Sequence, residues 1–302
     1  MTTSPTPANW LSILALGLIW GGTFMVMAIA LEGYGPVTVA AARTTLGALS
    51  LSALVILFRR PWPGRGTWGP VFWSGLLSTA VPFMLLSWGL QYVPSAFAGL
   101  SMAMVPLFVL PLAYLFSDET MTRRTWIGVA MGFGGALVLF GPGLLGTGGA
   151  SGVAFGQLAC VGAALCYAVS SITTRRCPPV DPIGFAAMTL IVGMVPLLPA
   201  MLLIEGVPGW EGKRTGTAII VLGLVPTAFA ALLRVAVIRS AGAVFMTLVN
   251  YQVPLWSVFF GWLVLSEALP WRFFAALGLI LLGLLISQSR RSPWARQAPT
   301  AR

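Results

Sequence analysis

The chain has 302 residues, of which 58% are hydrophobic and only 8% charged, with a formal net charge of +10. An ordinary soluble domain carries about 25% charged residues, so this composition excludes a water-soluble globular fold and points to a bilayer. The positive balance does not mark a nucleic-acid binder, because the basic residues sit at the ends of apolar runs instead of clustering on one aqueous face.

Runs of about 17 to 25 apolar residues have the length that crosses a bilayer core. Gly, Pro and charge mark off ten of them, at 10–31, 36–58, 69–91, 95–116, 125–141, 153–173, 182–204, 215–238, 243–265 and 273–288. An all-α integral membrane fold of ten transmembrane helices is therefore predicted. Residues 1–9 carry no Lys or Arg, so the first run reads as a retained helix and not a cleaved signal. With the N-terminus in the cytoplasm, Arg59, Arg60, Arg65, Arg123, Arg124, Arg175, Arg176, Arg239 and the arginines of the tail are cytoplasmic. Only Lys213, Arg214 and Arg272 fall outside. That bias places both termini inside.

The chain also repeats itself. A shift of 148 pairs Gly75 with Gly223, Thr79 with Thr227, Pro106 with Pro254, Glu119 with Glu267 and Arg124 with Arg272. Shifts of 147 and 146 pair Trp20 with Tyr167, and Pro36, Ala40, Ala41 and Gly47 with Pro182, Ala186, Ala187 and Gly193. Each copy holds five spans, and an odd number turns the second copy upside down relative to the first, the plan of many secondary transporters. The halves are 10–141 and 153–288, joined by the flexible linker 142–152 and followed by a basic cytoplasmic tail, 289–302.

The segments LIWGGTFMVMAIA, AAARTTLGAL and VPLFVLPLAYLFSDE, with the echo VPLWSVFFGWLVLSE in the ninth span, resemble the EamA-type drug/metabolite transporter superfamily. The resemblance runs from Trp10 to Gln288. It implies two inverted five-helix halves around a central cavity, with the fifth and tenth helices peripheral. It also implies export of metabolites, often amino acids, from a bacterial inner membrane. Substrate does not follow from fold.

Prolines inside spans mark candidate pathway positions. Pro254 cannot bond to the carbonyl of Asn250, nor Pro106 to that of Met102, and such gaps are tolerated where backbone lines a cavity or is buried in protein. Pro82 and Pro226 belong to the same group of helix-break positions. On the ninth helix Thr247, Asn250, Tyr251, Pro254 and Ser257 share a face. Ser74, Ser78, Pro82, Trp88 and Tyr92 follow one side of the third, while Tyr167 lies on the sixth and Trp20 and Thr23 on the first. The candidate substrate residues are Asn250, Tyr251, Trp20, Thr23, Ser78, Trp88, Met102, Tyr167 and Arg43. Helix-helix packing is the competing reading for the small polar ones.

Arg43 lies about 10 Å into its span at 1.5 Å per residue. Two readings stand for it: snorkelling to the outer surface, or facing inward to attract a substrate carboxylate. Arg234 reads as snorkelling. Glu119 and Glu267 end matching helices as candidate gates, or else pair with the nearby Arg123, Arg124 and Arg272. The ridge Gly128, Gly132, Ala136 predicts close packing within a monomer over dimerisation.

All seven acids lie at span ends or in loops and there is no His, so no titratable carboxylate or imidazole stands in the interior. A facilitator or exchanger working by alternating access without obligatory proton coupling is expected. An enzyme has nothing to be built from. The three cysteines form no CxxC pair, so no metal or cofactor is expected. The cargo that fits is a small zwitterion, an apolar or aromatic amino acid first and a hydrophobic drug second. A channel is the remaining alternative.

Overall fold

The computed structural model describes residues 5–116, 121–141 and 151–288. Among these residues all regular structure is helical, and seven helices are long and apolar enough to cross a membrane. Their outward surfaces are apolar, with Leu49, Ile56, Trp73, Val195 and Leu203 exposed.

The chain ends its helices with local chemistry. Helix α1 (Pro7–Leu31) starts on Thr6, whose hydroxyl accepts the Asn9 N–H at 3.3 Å, with Pro7 in the first turn where no N–H is needed. Helix α2 (Pro36–Leu57) likewise opens on a proline. Helix α5 (Arg123–Phe140) is capped by Thr122 and α7 (Pro182–Ile204) by Asp181. Helix α6 runs Ser151–Arg175 and α10 runs Trp271–Gln288.

Four rods are interrupted. Helix α3 is α-helical over Trp68–Gly75 and Val81–Gly89, with a π turn between them at Leu76–Ala80. Helix α8 repeats this plan, with Lys213–Leu222 and Ala230–Ala241 flanking a π turn at Gly223–Phe229. The cause is visible in α8: Pro226 cannot donate to the Leu222 carbonyl, and the Thr227 hydroxyl does so instead at 2.8 Å. In α3 the Thr79 hydroxyl donates to the Gly75 carbonyl, one turn back.

Helix α4 joins Ser95–Ser101 to Val105–Phe116 through a 3-10 turn at Met102–Met104. The Met102 carbonyl, which Pro106 leaves without its usual donor, is taken by the Val105 N–H. That corrects the expectation of a free carbonyl there. Helix α9 has parts Ala243–Met246 and Val249–Leu265. Its break lies at Thr247 and Leu248, whose carbonyls accept from Asn250 and Tyr251 at 3.0 and 3.3 Å. The chain is helical straight through Pro254. The interruption expected at Pro254 is therefore not found there; the helix breaks instead about two turns earlier.

Small residues set the packing. Gly17 and Gly21 of α1 lie against Gln252 and Trp256 of α9. A Cβ at Gly128 of α5 would overlap the Gly283 carbonyl of α10, so the glycine ridge is covered within one chain. Helices α2 and α7 also pack together, as do α4 and α9, α6 and α4, α6 and α3, α1 and α8, α2 and α8, and α3 and α7.

Candidate functional site

Two regions concentrate the polar side chains of the bundle. The first surrounds the π turn of α8. Arg43, only 6% exposed, donates through Nε to the Thr227 hydroxyl at 2.9 Å and through Nη1 to the Met27 sulfur at 3.4 Å. Its guanidinium carbon stands 3.9 Å from the centroid of the Phe83 ring, a cation-π contact. Tyr167 is within electrostatic reach of the same guanidinium. One residue before Thr227, the Pro226 carbonyl accepts the Trp20 indole N–H at 3.2 Å. Arg43 thus does not snorkel to the surface. Its partners lie on α1, α3 and α8, elements the sequence alone does not bring to it.

Trp20, Arg43, Tyr167 and Pro226 are therefore brought together, and Pro82 is buried beside Phe83 on α3. Thr227, Met27 and Phe83 complete the group and escaped the sequence reading as site residues. The one available signal was the pairing of Thr227 with Thr79 across the repeat.

The second region is α9 and its neighbour α4. Ser257 packs on Gly99, and Gly261 is close to Ser95, so the side of α9 carrying Pro254, Ser257 and Gly261 faces α4. At 3.6 residues per turn Asn250 lies on that same side, yet Asn250 is exposed while Pro254 and Ser257 are buried. The opposite side shows exposed Leu255, Phe259 and Trp262. Tyr251 and Met102 are half-buried, and Pro106 is buried.

Other candidates fall elsewhere. Thr23 is buried with its hydroxyl on the Ile19 carbonyl at 2.9 Å. Ser78 turns its hydroxyl to the Ser74 carbonyl at 2.6 Å. Both satisfy their own helix. Trp88 pairs with Tyr92 at 5.0 Å between ring centroids, and Tyr92 lies against Gly152 and Gly156 of α6. That places Trp88 in an aromatic pair at the end of α3, whose Tyr92 packs on α6. Trp10 is exposed and meets Phe245 edge-on at 4.9 Å. Arg234 is exposed.

One end of the bundle is held by long-range carboxylates. Glu205, at the end of α7, accepts from the Val37 and Thr38 N–H groups at 3.0 and 2.8 Å. Glu267, just after α9, accepts from Ser95 and Ala96 at 2.6 and 3.0 Å. These are the first turns of α2 and α4, which have no side-chain cap of their own. A carboxylate there meets both the orphan donors and the positive end of the helix dipole. Glu267 is thus bound to backbone and not to Arg272, against the local pairing expected. At the same end Arg214 pairs with Glu32 at 3.0 Å, and the Tyr34 hydroxyl accepts the Glu211 N–H at 3.1 Å. At the other end Asp181 lies 3.9 Å from Arg60 and 3.5 Å from Arg239. Glu119 lies outside the described residues.

No group of His, Cys, Asp or Glu suited to a metal occurs among the described residues. The comparisons bear on what such a bundle does. The model of the EamA-like transporter family matches residues 9–141 and 154–288. The chain is 25% identical over 280 residues to the uncharacterized transporter YoaV of Bacillus subtilis, covering 92% of this chain and 95% of that one. It is 27% identical over 277 residues to the uncharacterized inner membrane transporter YedA of Escherichia coli K12, covering 91% and 89%. A probable terminal-alkyne amino-acid exporter of Streptantibioticus cattleyicolor is 28% identical over 228 residues, 73% of each chain. A protein of solved crystal structure superposes with a TM-score of 0.66 at 20% identity, over 94% of this chain and 98% of that one, which speaks for the fold alone.

Proposed function

The chain belongs to the EamA-like transporter family, and we propose that it exports small metabolites, amino acids with apolar or aromatic side chains first, across a bacterial inner membrane. In this reading ten helices span the bilayer as two inverted halves, 10–141 and 153–288, with both termini cytoplasmic. The contact pattern supports it: α1 on α9 has its mate in α6 on α4, α1 on α8 in α6 on α3, and α2 on α8 in α7 on α3. Helices α2 with α7, α4 with α9 and α5 with α10 then meet across the pseudo-axis. The two π turns, 148 residues apart at Thr79 and Thr227, fit the same symmetry.

The observation that carries the function is the exposure of Asn250 on the side of α9 that faces α4, opposite the apolar surface of Leu255 and Phe259. An amide exposed at that depth is tolerated against water or cargo and is costly against hydrocarbon. The polar centre, with Asn250, Tyr251, Met102, Trp20 and Tyr167 around it, is the carrier's binding region. Glu205 and Glu267 latch the outer end shut and must release for outward opening, with Pro82, Pro106, Pro226 and Pro254 at the flexing levels. Glu119 holds its gating assignment from the sequence alone. The amino-acid assignment draws on the mixed aromatic and amide character of these side chains and on the name of the Streptantibioticus relative.

The described acids sit at helix ends, so the carrier works as a facilitator or exchanger. Counterflow of labelled amino acids in proteoliposomes tests the reading: a trans-stimulated, saturable flux supports a carrier. Unitary currents would make it a channel, and counterflow of hydrophobic drugs alone would make it a multidrug carrier.

A further inference from the structure

Arg43 is buried at membrane depth and makes no ion pair among the described residues. The described acids lie at helix ends, where Glu32, Asp181, Glu205 and Glu267 are already engaged. A buried cation without an anion is costly in a bilayer, and side chains of this kind mark substrate pathways.

The internal repeat supplies a control for the alternative, that the arginine is there to pack the helices. The crossing of α2 on α8 is built from Gly47 against Thr227, where a Cβ on the glycine would stand 2.6 Å from the threonine methyl. The crossing of α3 on α7 uses the mates of those residues, with Gly193 against Thr79. The offset of 146 that turns Gly47 into Gly193 turns Arg43 into Thr189. At that second crossing the Thr79 hydroxyl lies between the carbonyls of Gly75 and Thr189, and no charge takes part. The same joint is therefore made without an arginine. What distinguishes the α2 crossing is a cation that its twin does without.

The donors left over point the same way. A guanidinium carries five N–H groups in a planar fork. Here Nε serves Thr227 and Nη1 meets only the Met27 sulfur, a weak acceptor, while Phe83 covers one face. Among the described residues no oxygen accepts from either Nη. The Tyr167 phenol stands nearby, and Trp20 is anchored one residue along the same turn.

We propose that Arg43, flanked by Tyr167 and the α8 π turn, is the site that binds the carboxylate of the cargo. The fork is complementary to a carboxylate in charge and shape. The site then admits carboxylate-bearing metabolites, free amino acids among them, and rejects their amides and the corresponding amines. This rests on the carrier reading and names the cargo class for it.

The test is a binding measurement on the full-length protein in detergent, reading the thermal unfolding midpoint with each of the twenty amino acids, their amides, and chloride as the free inorganic anion. Two variants accompany the wild type: Arg43→Thr, which copies the twin crossing and should therefore fold, and Arg43→Lys, which keeps the charge. The wild type is expected to favour at least one acid over its amide by about tenfold or more, the scale of a charge-assisted hydrogen bond. Arg43→Thr should lose that preference and Arg43→Lys should keep part of it. Acid and amide binding alike, stabilisation by chloride only, no acid binding at all, or the preference surviving in Arg43→Thr would each overturn the assignment. Acids that bind through Arg43 without counterflow in liposomes would instead remove the carrier reading and leave the site.

Discussion

Glu267 holds the amino end of α4: its carboxylate accepts the Ser95 N–H at 2.6 Å across 172 residues of chain. Glu205 does the same for α2 through Val37 and Thr38. Of the helices starting at the opposite end, α1, α5 and α7 use their own Thr6, Thr122 and Asp181, while α3 has no side-chain cap. Long-range caps thus occur at the end where, in the proposed carrier, the two halves part for outward release. Glu205→Gln and Glu267→Gln keep an acceptor but lose the charge, and each should weaken its cap by about 1 kcal/mol. Cysteines introduced near Gly35 or Pro94 should label faster from outside in both variants. Unchanged labelling would remove the latch.

The glycine at the α2 and α8 crossing leads to a prediction about stability. Gly47→Ala places a methyl 2.6 Å from Thr227 Cγ2 and should destabilise the protein by about 1 to 3 kcal/mol. Thr227→Ser removes that methyl and keeps the hydroxyl that accepts from Arg43. The double variant should recover much of the loss, as a positive coupling in a double-mutant cycle of thermal unfolding. Simple additivity would mean that the two residues do not meet.

Cys177 reports sidedness. It follows α6 on the side carrying Arg60, Asp181 and Arg239, and is half-buried. A membrane-impermeant thiol reagent should label it in inside-out vesicles and spare it in right-side-out ones, with Cys160 and Cys166 replaced by Ser. Burial raises its thiol above the ordinary value of 9.0. Since the thiolate is the reactive form, its labelling rate should keep climbing past pH 9, where an unperturbed thiol levels off.

Coupling gives a further expectation. Glu32, Asp181, Glu205, Glu211 and Glu267 lie at or beyond helix ends, so no described carboxylate is placed to carry a proton through the centre. Efflux from proteoliposomes should be indifferent to an imposed pH gradient. Accumulation driven by such a gradient would contradict the facilitator or exchanger mechanism.

Much of the architecture is legible in the residue order because bilayer helices are bounded by local signals. The span expected at 182–204 is Pro182–Ile204, set by Asp181 and Pro182. The span expected at 36–58 is Pro36–Leu57. The glycine ridge of α5 is used as expected, against α10. What stays hidden depends on partners far along the chain. Arg43 admits two readings in isolation, and its actual partner Thr227 is 184 residues away. Glu267 has Arg272 five positions on and binds Ser95 instead. Pro254 promises a break, yet the chain is helical through it and the irregularity falls about two turns earlier, at Thr247 and Leu248. Thr23 and Ser78 look like pathway residues by spacing and spend their hydroxyls on their own helices.

The most direct test of a polar centre between the halves is labelling at two positions on opposite sides of α9 in a cysteine-free background. Asn250→Cys should react with a small, charged, water-borne thiol reagent and be protected by cargo, while Phe259→Cys should react only with a lipid-soluble one. Equal inertness of both positions to the charged reagent, or labelling of Phe259→Cys in place of Asn250→Cys, would contradict the account.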